Sequence, residues 1–144
     1  MTLLDDVVAT LRAANIAHAV IGAAALGAYG VARSTADIDL LTTDPQSLTR
    51  STWSALESSC HVDVRRGDLD DPLSGVIRVS RSGEPDVDVV VGKCAWQTTC
   101  VERAQALDPS CPYRALSLTS RNISARPNTP AFPLIDDWST RATR

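Results

Sequence analysis

The chain has 144 residues, 44% of them hydrophobic, 22% charged and 4% aromatic, with a net charge of −3. A single domain of this size can bury a real core, and the composition excludes wholesale disorder and collagen-like repetition. The acidic balance speaks against a protein that coats nucleic acid by bulk charge, and no apolar stretch approaches the roughly 20 residues of a membrane span. Its first residues, Met-Thr-Leu-Leu-Asp-Asp, show no basic stretch ahead of an apolar one. The expectation is a cytoplasmic globular protein without a secretory signal or a membrane partner. Cys60, Cys94, Cys100 and Cys111 form no CxxC pair, and His18 and His61 lie at no finger-like spacing from them. They read as reduced thiols rather than as zinc ligands or a disulfide framework.

Thr2 is placed to cap a first helix whose apolar face is Leu3, Leu4, Val7, Val8 and Leu11, with Asn15 as its stop. Residues 18–21, His-Ala-Val-Ile, read as a buried strand. Gly22 then turns the chain into a short helix over 23–29, closed by Gly30. A strand follows over 37–41. Asp44-Pro45, a capping residue followed by proline, predicts a helix reaching about residue 56. Strand-like runs occupy 62–65, 76–79 and 87–91, and a last amphipathic helix is expected over 95–107. Helix and strand alternate early and strands cluster later, which predicts an α+β fold: a mixed β-sheet with helices packed on it.

All seven glycines lie at or before Gly92, while five of the eight prolines lie from Pro109 onward. The chain therefore divides into a domain, 1–107, and a tail, 108–144, rich in Ser, Thr, Arg and Pro and without apolar periodicity. Such a tail fits either a divergent, unfolded segment or a shifted reading frame.

Residues two apart in a strand share a face, so Asp37 and Asp39 project together while Ile38 and Leu40 turn to the core. Adjacent carboxylates repel, which costs stability unless a cation lies between them. With 14 aspartates in the chain, chance alone would place about 1.4 Asp-x-Asp pairs, and there are three. Asp68/Asp70 sits in Gly-Asp-Leu-Asp-Asp-Pro, a polar loop. Asp86/Asp88 leads into Val89-Val90-Val91, where a charge entering a buried strand needs either exposure or a site. Oxygen donors of this kind suit magnesium, above all when a phosphate completes the coordination. Gly22, at a strand-to-helix turn, would present backbone N–H groups to such a phosphate.

Ile21-Gly22-Ala23, thirteen residues, then Asp37-Ile38-Asp39-Leu40 resembles the signature of minimal nucleotidyltransferases of the DNA polymerase beta superfamily. The longer stretches, residues 19–26, Tyr29-Gly30 and residues 33–41, are similar to the nucleotidyltransferase toxins of abortive-infection, type IV toxin–antitoxin systems. Asp88 matches the position of that family's third acidic residue, with Asp86 as its neighbour on the same face, and the match covers about residues 3–107.

The resemblance implies a nucleotidyltransferase-like α+β fold and magnesium-dependent transfer of a nucleotide from an NTP to a hydroxyl of tRNA or protein, within a toxin–antitoxin pair. It implies that Asp37, Asp39 and Asp88 are catalytic and hold the metal. Gly22, Ala23, Arg33, Ser34, Thr35 and Lys93 would bind the nucleotide, the first two through backbone N–H groups. The alternative is a catalytically weak or inactive nucleotide-binding or antitoxin-like module of the same fold. Scarce aromatics give no stacking platform for RNA, and Arg65-Arg66 and Arg78/Arg81 read as solvated charge or as the lining of an acidic acceptor site.

Overall fold

The computed structural model describes residues 1–22, 37–106 and 114–115. The helix expected over 23–29, and with it Ala23, Arg33, Ser34 and Thr35, lies outside the described residues, as does nearly all of the segment from 108 onward.

The first helix, α1 (Leu3–Ala13), begins as its sequence dictates. The Thr2 hydroxyl accepts from the Asp5 N–H and the Asp5 carboxylate accepts from the Thr2 N–H, a reciprocal box that satisfies two end-of-helix donors. Leu3, Val7, Val8 and Leu11 are buried along one face. Asn15 closes the helix at φ 58°, a left-handed conformation that asparagine tolerates.

Among the described residues seven strands follow in one mixed sheet: β1 (His18–Ile21), β2 (Asp37–Thr42), β3 (His61–Arg66), β4 (Leu73–Ser80), β5 (Asp86–Gly92), β6 (Gln105–Ala106) and β7 (Arg114–Ala115). Their spatial order is β3-β4-β5-β2-β1-β7-β6. β2 runs parallel to β5 and β1 parallel to β7; the other neighbours are antiparallel. The expected α+β architecture is thus the observed one. Arg114–Ala115, within the segment expected to lack folding signals, pairs with β1 opposite Val20.

One sheet face carries the main core. Val20, Leu40, Ile77, Val79, Val87, Val89 and Val91 pack there with α1 and with Leu48, Trp53 and Leu56. The second helix, α2 (Ala95–Arg103), contacts β2, and its Val101 is buried apart from that main cluster. Leu41 and Ala19, which alternation turns to the reverse face, are buried apart from it too, which puts α2 over the Leu41 end of that face. α2 stops four residues before the expected end, because Ala104 turns extended and Gln105–Ala106 joins the sheet.

One expected element is corrected. Asp44 does cap, accepting from the Gln46 N–H, and Pro45 does start a helix, but the result is two 3-10 segments, Pro45–Leu48 and Arg50–Trp53, broken at an extended Thr49. Hydroxyls compete for the backbone carbonyls: Ser47 Oγ donates to Asp44 O and Thr52 Oγ1 to Gln46 O. The break brings Trp53 under the sheet, fully buried, with its Nε1–H donating to Ser47 O at 2.7 Å.

Arg81 joins α1 to the β4–β5 turn, pairing with Asp6 and Glu84 at 2.7 Å each, while Glu84 also accepts from the Leu3 N–H. These contacts hold the Glu84 carboxyl below its ordinary range, the Arg81 hydrogen bond first and the Leu3 N–H second. No helix among the described residues is long and apolar enough to cross a membrane.

Because Trp53 fills the core and satisfies Ser47 O, Trp53→Ala is expected to destabilise the protein by about 3–5 kcal/mol in urea unfolding. A loss below about 1 kcal/mol would contradict its place in the core.

Candidate functional site

Strand register brings the site together. Asp63 lies opposite Arg78, Arg78 opposite Asp88, Asp88 opposite Asp39 and Asp39 opposite Ile21. Directly paired residues share a face, so one row crosses the reverse face of five strands: carboxylate, guanidinium, carboxylate, carboxylate, then the chain end that leads to Gly22. A second row sets Asp37 opposite Asp86. The two Asp-x-Asp pairs at 37/39 and 86/88 are therefore neighbours, separated by about 49 residues of sequence and by one strand spacing in space.

Arg78 is the cation of this row. Its Nε donates to Asp88 Oδ1 at 2.8 Å and its Nη2 to Asp88 Oδ2 at 2.6 Å, a two-pronged charge-assisted contact. Nη2 also lies 3.8 Å from Asp37 Oδ2, so the guanidinium stands between the two carboxylates. The Asp88 side chain is 13% exposed, against 47% for Asp37 and 48% for Arg78. Hydrogen bonding to Asp88 raises the Arg78 pKa above its already high ordinary value, and the charges of Asp88, Asp37 and Asp86 add to this.

Among the described residues, Asp39 has no cation bonded to it as Arg78 is bonded to Asp88. Burial, and then the charges of Asp88 and Asp37, raise its pKa above the ordinary 3.8, while Arg78 pulls it down. Gly22 lies against it. At φ 67°, Gly22 adopts the left-handed conformation, and a Cβ there would sit 2.5 Å from Asp39 Oδ2. Glycine at this point is thus required twice, by backbone conformation and by the space kept open beside the carboxylate.

Of the residues singled out in the sequence, the structure brings together Gly22, Asp37, Asp39 and Asp88, with Asp86 beside them. Lys93 does not join them. It follows the far end of β5, five residues and about 16 Å of strand beyond Asp88, where its Nζ donates to the carbonyls of Asp68 and Leu69. Asp68 and Asp70 lie in the β3–β4 connection, as a polar loop would. Arg65 pairs with its strand neighbour Asp63 on an open surface, and Arg66 donates to Leu48 O.

Sequence reasoning passed over the importance of Arg78. Its signal was present: a charge between Ile77 and Val79 breaks an apolar strand as Asp88 breaks Val87–Val89. Only the β4–β5 register shows that the two interruptions answer each other. Among the described residues, no three carboxylate, imidazole or thiol groups are drawn together as a metal-holding set in this arrangement, in which both Asp88 oxygens accept from Arg78. No family model and no curated protein matches the chain.

The raised Asp39 pKa makes a signed prediction. A carboxyl that holds its proton more tightly when folded contributes stability below its unfolded value, and that contribution is lost as pH rises through the folded value. Asp39→Asn, which carries no charge at any pH, is therefore expected to raise the thermal midpoint by a few degrees at pH 7. The gain should shrink to nothing below about pH 4. A variant that melts lower than the parent at pH 7 and equally at pH 4 would show that Asp39 is stabilised, not strained.

Proposed function

We propose that the chain is a magnesium-dependent nucleotidyltransferase that moves a nucleotide from an NTP to a hydroxyl of tRNA or protein, working in the cytoplasm as a component of a toxin–antitoxin pair. The observation that carries this is the register: Asp39 beside Asp88 across parallel strands, with Asp37 in the same acidic group and Gly22 packed against Asp39. The residues suit magnesium. All the donors are hard carboxylate oxygens, the space beside Asp39 Oδ2 is kept by the missing Cβ of Gly22, and a cationic group already lies between Asp88 and Asp37.

Asp37, Asp39 and Asp88 would hold the metal, which when bound supplies the positive charge that offsets the triphosphate and steadies the attacking and leaving oxygens. The chain's own residues do the rest. Asp88, on the strand next to Asp39, would take the proton of the acceptor hydroxyl as its oxygen bonds to the α-phosphorus and pyrophosphate departs. By the resemblance, Gly22 and Ala23 would offer N–H groups to the phosphates, with Ser34, Thr35 and Arg33 as further donors. Lys93 has no part in this, being held at the other end of β5.

The test is transfer of label from each of the four α-labelled NTPs, with total tRNA and cell protein as acceptors. The intact protein should label an acceptor only with magnesium, and Asp37→Asn/Asp39→Asn should lose at least about a hundredfold in rate while keeping its fold. Gly22→Ala should lose transfer as well, since the new methyl group would meet Asp39 Oδ2 in a strained backbone conformation. The tight Arg78–Asp88 pair favours a second reading, a weak or inactive nucleotide-binding or antitoxin-like module of the same fold. No transfer from the folded protein, with NTP binding retained, would select it.

A further inference from the structure

We propose that Arg78 is a resident counter-cation of the site, which a divalent cation must displace from Asp88 before the carboxylates can act together. This rests on the nucleotidyltransferase reading and adds a resting, closed form to it.

Three observations carry the inference. Both oxygens of Asp88 already accept from Arg78, one from Nε and one from Nη2, so an incoming cation must compete with the guanidinium for that carboxylate. The guanidinium reaches toward Asp37 as well, which puts its charge between carboxylates from two strands. Arg78 is itself half exposed, and water can solvate its head once it leaves, whereas the Asp88 side chain is largely buried and needs a replacement charge. The pair is therefore asymmetric: Arg78 can swing out at small cost, but Asp88 cannot be left bare. A triphosphate would offer the freed guanidinium a new two-pronged partner. Metal and nucleotide binding would then assist each other, each removing one obstacle for the other.

The inference is tested by manganese binding, read directly by titration calorimetry or by the spin signal of free Mn²⁺, with no turnover needed. Wild type is expected to bind Mn²⁺ weakly by itself and more tightly with a non-hydrolysable NTP. Arg78→Met should bind Mn²⁺ about tenfold tighter without nucleotide, and should gain more thermal stability from Mn²⁺ than wild type does. Arg78→Lys keeps the charge but not the fork, so it should fall between them and serve if Arg78→Met does not fold. Equal Mn²⁺ affinity in wild type and both variants, lost on Asp39→Asn, would overturn the displacement while leaving the metal-dependent reading standing. Absence of Mn²⁺ binding from every variant, with or without nucleotide, would overturn both.

Discussion

Repulsion between carboxylates is the constraint around which this structure is arranged. Asp37, Asp39, Asp86 and Asp88 occupy adjacent positions on two paired strands. Two such charges about 5 Å apart repel by roughly 3 kcal/mol at an effective dielectric of about 20, a large fraction of the ~5–15 kcal/mol that holds a typical domain folded. A chain selected only for stability would not place them so. Arg78 offsets part of the cost through Asp88, while burial first, and then the charges of Asp88 and Asp37, still raise the Asp39 pKa.

The sheet topology imposes this crowding and confines it. β5 lies next to β2 although β3 and β4 intervene in sequence, and the parallel pairing sets the second Asp-x-Asp beside the first with no offset. The opposite face of the same strands is apolar without exception from Val87 through Val91, and α1 and Trp53 seal it. Each strand therefore has one face that stabilises the fold and one that strains it. Arg81, Asp6 and Glu84 fasten α1 to the β4–β5 turn, one residue beyond Ser80 and close in sequence to Arg78, so the helix that anchors the core also steadies the strand that supplies the counter-charge. Burial of the apolar face and tolerance of the acidic one are two outcomes of the same alternation.

What the sequence makes legible follows from range. Short-range patterns held: the Thr2 cap, the apolar stripe of α1, the Asn15 stop and the two-residue alternation of β5 depend only on near neighbours, whereas β2 buries Leu40, Leu41 and Thr42 in succession. The helix after Asp44 failed locally, since three hydroxyls, of Ser47, Thr52 and Ser54, donate to backbone carbonyls in a contest that a capping signal does not decide. The carboxylates could be singled out because strand alternation gives their faces. Their grouping could not be derived from alternation, because register between strands far apart in sequence is set by the whole sheet. For that reason Arg78 reads from sequence as solvated charge or as lining for an acidic acceptor rather than as the partner of Asp88, and Lys93, close to Asp88 in sequence, is carried by an extended strand away from it.

The central claim is that the Arg78–Asp88 pair compensates the acidic row, and a double-mutant cycle measures it most directly. Unfolding free energies of the parent, Arg78→Met, Asp88→Asn and the combined variant, taken in chelator at low salt, give the coupling between the two side chains. A coupling of about 1–3 kcal/mol is expected, with Arg78→Met alone the most damaging of the three because it leaves the carboxylates without their cation. Additive effects within about 0.3 kcal/mol would mean that the pair is an ordinary surface contact and that the acidic row is held by something else.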